Sequence, residues 1–305
     1  YGNLGQGTSR TSASIPQQVT NPTPGVTFTS YFPASNHALG MGSDNKLYAW
    51  GRNYASELGN GTNVDSKVPV PVSLPSGAPG GFHYTSFEAR GSINVAKGSD
   101  GKLYMWGAGY LGHPDSSNSN LPVPVDNPTG TTAGFSFSSF AVGDGHVLAL
   151  GNDLNLYSWG NNSWGQLGNG SRDASFVPLP VSLPTGVPVG FHFTKIWANS
   201  DNSLALGSDN KLYGWGHDNN NELGLGDGVN GPIVTPLPVA APIGVSFTGV
   251  VMGVGHTFGY GSDGKIYGWG SYGNGELGIG SENAVNHPVD VGVGDGVGMT
   301  NVAPG

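Results

Sequence analysis

Lys46-Leu47-Tyr48-Ala49-Trp50-Gly51 returns four more times along the chain, at 102–107, 155–160, 211–216 and 265–270. The tryptophans Trp50, Trp106, Trp159, Trp215 and Trp269 therefore recur roughly every 55 positions, a period that marks a tandem structural repeat. It is too long for one hairpin and suits about four short strands with their turns.

Working outward from that segment, each unit reads as four strands. An aromatic-polar stretch comes first, as in Phe28-Thr29-Ser30-Tyr31-Phe32 or Phe193-Thr194-Lys195-Ile196-Trp197, and is called strand A. Strand B follows, as in His37-Ala38-Leu39-Gly40-Met41 or His146-Val147-Leu148-Ala149-Leu150. It ends in Gly-Ser-Asp-Asn or Gly-Ser-Asp-Gly, residues that tolerate the positive φ of a tight reversal. The Trp-Gly segment is strand C. A loop Glu57-Leu58-Gly59-Asn60-Gly61-Thr62 comes next and is repeated at 166–171, 222–227 and 276–281. The unit closes on a Pro-Val strand D, such as Val68-Pro69-Val70-Pro71-Val72. Proline cannot donate to a ladder, so strand D belongs at a sheet edge. Four-stranded antiparallel units with a blunted outer edge pack radially around an axis. The predicted fold is all-β, a β-propeller occupying 1–305 as one domain, its units centred on the five tryptophans, with part-units at 1–24 and 292–305.

The composition agrees. With 54 Gly and 22 Pro in 305 residues, long helices are excluded. The 7 Trp, 12 Tyr and 12 Phe supply core material that a disordered chain lacks. Charged residues are only 10 % and the net charge is −9. No window gathers the Lys and Arg that phosphate neutralisation requires, which argues against nucleic acid as a partner. No run of 18 apolar residues is present, so no helical membrane insertion is expected. The absence of Cys removes disulfides, thiol catalysis and Cys-ligated metal. Low charge with abundant Gly, Ser, Thr and Asn points to an extracellular or cell-surface protein.

The unit from Gly143 to Ser171 carries Gly-Asp-Gly-His146-Val-Leu-Ala-Leu-Gly and then Leu156-Tyr-Ser-Trp159-Gly-Asn-Asn-Ser-Trp164-Gly-Gln166-Leu-Gly-Asn-Gly-Ser. It resembles the regulator of chromosome condensation repeat, whose pattern is His-x-x-Ala-Leu, Ser-Asp-Gly, Tyr-x-Trp-Gly and Asn-x-x-Gly-Gln-Leu-Gly-x-Gly. The resemblance extends over essentially the whole chain and implies a propeller, commonly of seven units with the last completed by both chain ends. Six units are visible here, five whole and one split. Residues 1–8 read as the loop after strand C and 299–302 as strand A, so a hairpin from residues not included, another segment or another subunit is expected to finish the ring.

Residues present in every unit are explained by packing, and the Trp of each Trp-Gly pair is assigned to the interblade core. The Gly-Trp-Arg-His-Thr pattern of the family's plant photoreceptors does not occur. His37, His146 and His256 share one repeat position, but they lie on different units and are expected to stabilise turns through backbone rather than to ligate metal. Neither Gly-x-Ser-x-Gly at a strand-to-helix turn nor His-Glu-x-x-His is found. The glycine-rich runs at 226–228 and 292–298 offer too few carboxylates for calcium. No enzyme activity, metal or cofactor is expected. Asn60-Gly-Thr62, Asn161-Asn-Ser163 and Asn169-Gly-Ser171 match the glycan acceptor pattern, which arises by chance in Asn-rich loops.

Departures from the repeat carry more information. After Trp106 the chain reads Gly107-Ala108-Gly109-Tyr110-Leu111-Gly112-His113, abandoning the Glu-Leu-Gly-Asn-Gly loop. Equivalent loops bear Tyr54, Trp164 and Tyr272. Tyr54, Tyr110, His113, Trp164 and Tyr272 are the candidate binding residues, since aromatics on a rigid ring give contact area at little entropic loss. The function expected is a non-enzymatic extracellular propeller recognising a protein or a glycan through loops on one face. The alternatives are self-assembly as a structural subunit completed by a neighbour or, from the resemblance alone, a guanine-nucleotide exchange factor or an inhibitor of a secreted enzyme.

Overall fold

A computed structural model describes residues 2–7, 14–114, 117–229, 231–271, 275–279 and 284–292. The first two blades are β1 (Phe28–Pro33), β2 (His37–Gly42), β3 (Leu47–Gly51), β4 (Ser66–Pro71) and β5 (Tyr84–Arg90), β6 (Ile93–Gly98), β7 (Leu103–Ala108), β8 (Asn118–Pro124). The third and fourth are β9 (Phe137–Val142), β10 (His146–Gly151), β11 (Leu156–Gly160), β12 (Ser175–Pro180) and β13 (Phe193–Asn199), β14 (Asn202–Gly207), β15 (Leu212–Gly216), β16 (Ile233–Pro238). The fifth is β17 (Phe247–Met252), β18 (His256–Gly261), β19 (Ile266–Gly270), β20 (Val285–Asp290).

Each blade is a four-stranded antiparallel sheet in sequence order, A-B-C-D. The Pro-bearing strand pairs only with strand C and forms the outer edge, as its missing N–H groups require. The A strands β1, β5, β9, β13 and β17 contact one another in succession and form the hub. The A–B turns and C–D loops thus lie on one face of the disc, the B–C turns and D–A connectors on the other.

The repeated residues have a local cause in every blade. In the B–C turn the Asp accepts the hydroxyl of the strand C tyrosine, from Tyr48 to Asp44 (2.9 Å) and likewise at Tyr104–Asp100, Tyr157–Asp153, Tyr213–Asp209 and Tyr267–Asp263. The Trp-Gly glycine ends strand C at positive φ, +117° at Gly160, with a Cβ there lying 2.4 Å from Gly145 O. Only glycine fits.

The core lies between blades. Trp106 Nε1 donates to Glu57 O (3.0 Å) and Trp215 Nε1 to Gln166 O (2.9 Å), each carbonyl belonging to the C–D loop of the preceding blade. A Cβ on Gly168 would sit 2.6 Å from Trp215 Nε1, which explains the Leu-Gly of that loop. Asn3 O accepts Trp50 Nε1 at 3.2 Å, so the first segment of the chain supplies the loop carbonyl for the first blade. Trp159 faces the aberrant second loop instead and donates to Met105 Sδ (3.3 Å).

The histidines correct the sequence expectation. His37 Nε2 bonds Asn94 Oδ1 (2.7 Å) and His146 Nε2 bonds Ser203 Oγ (2.9 Å), side chain to side chain across to the following blade. Asn94 and Ser203 in turn donate to Glu57 O and Gln166 O, the tryptophans' acceptors. The result is an interblade staple rather than a turn support, invisible in sequence because its partners are 57 residues apart. Burial lowers both imidazole pKa values, that of His146 to about 3, so they work neutral. Ser203→Ala leaves His146 unpaired and Gln166 O with one donor. The expected loss is about 1–2 kcal/mol in urea unfolding.

Candidate functional site

Two features of the A–B and C–D face stand out: a set of loop side chains, and a cavity at the hub. The loops are rigid for a definable reason. Asn53 Oδ1 accepts Leu58 N–H (2.8 Å) while its Nδ2 donates to Thr62 O (2.9 Å) and Val64 O (3.1 Å). Asn162 repeats this with Leu167, Ser171 O and Asp173 O. One fully buried amide therefore clamps the whole C–D loop from inside.

On these loops Tyr54 is 79 % exposed, with the Arg52 guanidinium 5.8 Å from its ring centroid and Arg52 Nε 3.7 Å from Glu57 Oε1. Trp164 is half-buried and meets His217 of the next blade edge to face, centroids 4.5 Å apart. Tyr110 turns outward to the rim and packs on Phe176 of β12, centroids 4.7 Å apart. His113 is half-buried in the same second loop. Tyr272 lies outside the described residues. Among the described residues, Tyr54, Tyr110 and Trp164 stand on three different loops, and their ring contacts are with Arg52, Phe176 and His217 respectively. Trp164 finds a neighbour that the sequence reading did not name.

That neighbour opens a polar cluster across blades 3 and 4. His217 Nδ1 is hydrogen-bonded to Glu222 Oε1, whose second oxygen accepts Asn220 N–H (2.7 Å). Gln166 Nε2 donates to Asp201 Oδ1 (2.7 Å). Burial raises the Asp201 carboxyl against the opposing pull of His217, with Asp144 adding to the rise and Gln166 opposing it. Asp218 stands where Asn53 and Asn162 stand in the other loops, accepts Leu223 N–H (3.0 Å) and is 1 % exposed. Burial, then the charge of Glu222, push it up to about 7 despite Leu223 N–H and His217. The one signal available in sequence was this Asn-to-Asp departure at a clamped position.

At the hub, strand register aligns Phe32, Glu88, Ala141, Trp197 and Val251 as one row, since their strand B partners Leu39, Val95, Leu148, Leu204 and Phe258 are equivalent. The only charge in that row is Glu88. Two residues nearer the loop face, Arg90 donates across the hub to Asn199 Oδ1 and lies 3.8 Å from Asp144. Asn199 Nδ2 donates onward to Gly253 O (2.9 Å). A cavity of about 180 Å³ opens here, with walls from all five A strands. Glu88 Oε2 accepts Val142 N–H (3.1 Å), and burial raises its carboxyl to about 7.

His37, His146 and His256 do not converge, and among the described residues no group of three or more His, Asp or Glu could hold a metal ion. In the run 226–228, Asp227 Oδ1 accepts Asn286 Nδ2 (2.6 Å). The run 292–298 is outside the described residues beyond Gly292.

Comparison with known proteins places this geometry. A model described as the regulator of chromosome condensation (RCC1) repeat matches residues 44–85, 100–150, 155–206, 209–260 and 263–305. The chain is 30 % identical over 245 residues to the ultraviolet-B receptor UVR8 of Arabidopsis thaliana, covering 78 % of this chain and 52 % of that protein. It is 29 % identical over 274 residues to the human E3 ubiquitin-protein ligase HERC2, covering 88 % of this chain and 5 % of that protein. It therefore spans about half of one relative and a small fraction of the other. Among solved structures it is similar to yeast RCC1 (Prp20) with Kap60 bound, with a TM-score of 0.73, 22 % identity and coverage of 87 % of this chain and 64 % of that one.

Proposed function

We propose that this chain, which belongs to the regulator of chromosome condensation (RCC1) repeat family, is a non-catalytic propeller that binds a protein ligand with the face carrying its C–D loops. The observation that carries the reading is Tyr54, exposed yet held by Arg52 on a loop clamped through Asn53. An aromatic with little freedom left to lose is what a binding hot spot needs. Trp164, propped by His217 on the next loop, gives a second anchor of the same kind. Protein is favoured over glycan because Prp20 was solved with a protein, Kap60, bound. Glycan adhesion, an extracellular setting and self-assembly rest on composition and chain-end arithmetic alone.

The test is capture. Tagged wild type and a Tyr54→Ala/Trp164→Ala double variant are used to retain proteins from a lysate or culture supernatant, and the specific partner is then titrated. The double variant is expected to bind about 30-fold or more weakly with an unchanged melting temperature. Equal affinity for the partner would remove the loops from the interface. Nucleotide release from a captured GTPase would move the reading to the exchange-factor alternative.

A further inference from the structure

The hub cavity is a second site, separate from the loop aromatics, and its chemistry is specific. Its walls are largely apolar and aromatic, including Phe32, Phe140, Trp197 and Met252, with Arg90 and Asn199 on the side of the loop face. At about 180 Å³ it is smaller than the few hundred Å³ of a pocket for a drug-sized ligand, and suits one side chain or one small molecule. Into this wall projects a single acid. Among the described residues Glu88 accepts one hydrogen bond, from Val142 N–H through Oε2 (3.1 Å), which leaves Oε1 to an occupant.

The surrounding charges compensate that acid only in part: the Arg90 guanidinium in the same wall pulls its carboxyl down, less strongly than burial pushes it up. Arg90, on the same strand, is engaged by Asn199 and Asp144. Lys195 of β13 reaches away to Thr248 O (2.8 Å). Neither β1 nor β17 contains an Asp, Glu, Lys, Arg or His. Asp144 at the mouth lies 3.8 Å from Arg90, so the formal charges of Glu88, Arg90 and Asp144 sum to that of one carboxylate. A buried carboxylate whose one nearby cation is shared with a second acid is costly and is relieved by a proton or a further cation. A cation between aromatic faces gains further from their quadrupoles, most from Trp.

We propose that the hub cavity is a binding pocket for a primary ammonium group on a short apolar stem, donating to Glu88 Oε1 and lying against Trp197 and Phe140. The ammonium has two sources, a free alkylamine or the lysine side chain of a bound protein. Because burial raises the Glu88 carboxyl to about 7, the pocket binds the cation better as pH rises from 6 to 8, where the acid ionises and the amine stays protonated.

The experiment follows the Trp197 indole resonance of the ¹⁵N-labelled protein while butylammonium, butan-1-ol or an acetylated, amidated Gly-Lys-Gly peptide is added. Butylammonium is expected to shift it saturably, with affinity increasing between pH 6 and 8. Butan-1-ol is expected to bind about tenfold or more weakly, and Glu88→Gln to remove that preference. Tighter binding by the peptide assigns the ammonium to a protein partner and tighter binding by butylammonium to a free amine, and either supports the pocket. Equal shifts by amine and alcohol, or an affinity flat across pH in the wild type, overturn the proposal even if Glu88→Gln does not fold. Tyr54→Ala/Trp164→Ala is expected to bind butylammonium as the wild type does, so failure of the loop-face reading and failure of this one are told apart.

Discussion

Trp215→Ala is expected to lower stability by about 3–5 kcal/mol, the range for removing a fully buried large aromatic, read as a fall in the urea midpoint. The indole fills the seam between blades 3 and 4 with no exposed surface. Gly168 presses against one edge, and the Phe193 ring lies tilted at 6.1 Å. The loop cannot follow the missing ring inward, because Asn162 holds it to its own blade. A cavity therefore stays open. The indole N–H adds a separate contribution that Phe substitutions isolate. Trp215→Phe removes one of the two donors to Gln166 O, whereas Trp269 Nε1 has no partner among the described residues. Trp215→Phe is expected to cost about 1 kcal/mol more than Trp269→Phe. Equal losses would show that the bond to the loop carbonyl contributes nothing.

Asp218→Asn is expected to stabilise the protein, and by an amount that depends on pH. In the first and third loops the buried amide both accepts and donates; a carboxylate at that place retains only the accepting half. Asp218 keeps the bond from Leu223 N–H and has no N–H₂ to offer. Burial, reinforced by the charge of Glu222, keeps its carboxyl protonated to about pH 7 in the folded state, against about 3.9 in the unfolded chain. The folded protein binds the extra proton between these values, so the acid form's contribution is full below about pH 4 and is lost as pH rises through 7. Asparagine supplies the donor at every pH. The variant should match the wild type near pH 4 and exceed it by about 2–3 kcal/mol at pH 8, with partial solvation holding the gain below the full shift. Parallel stability curves across that range would show that Asp218 is not clamped as the amides are.

The loop that departs from the repeat has a local explanation at Tyr110. Tyr110 and His113 stand on the loop where Tyr110 replaces the Glu or Gln before Leu-Gly, and there Trp159 donates to Met105 sulfur rather than to a loop carbonyl. Tyr110 covers the neighbouring rim at Phe176. The staple histidines were misread because a one-dimensional pattern shows a His at the start of strand B but not the Asn or Ser it meets one blade later.

The periodicity alone determined the all-β class, the order A-B-C-D, the Pro-bearing outer edge and the burial of every Trp-Gly tryptophan. Those features are set by hydrogen-bonding and packing rules that act within one unit and repeat with it. What only the tertiary structure decided is which unlike residues meet: Trp164 with His217, Arg90 with Asn199 across the hub at a separation of 109 residues, and Glu88 alone in a row of apolar hub positions. Such meetings depend on the strands arriving together at one axis, and no local rule ties the identity of a residue to that of a partner two blades away.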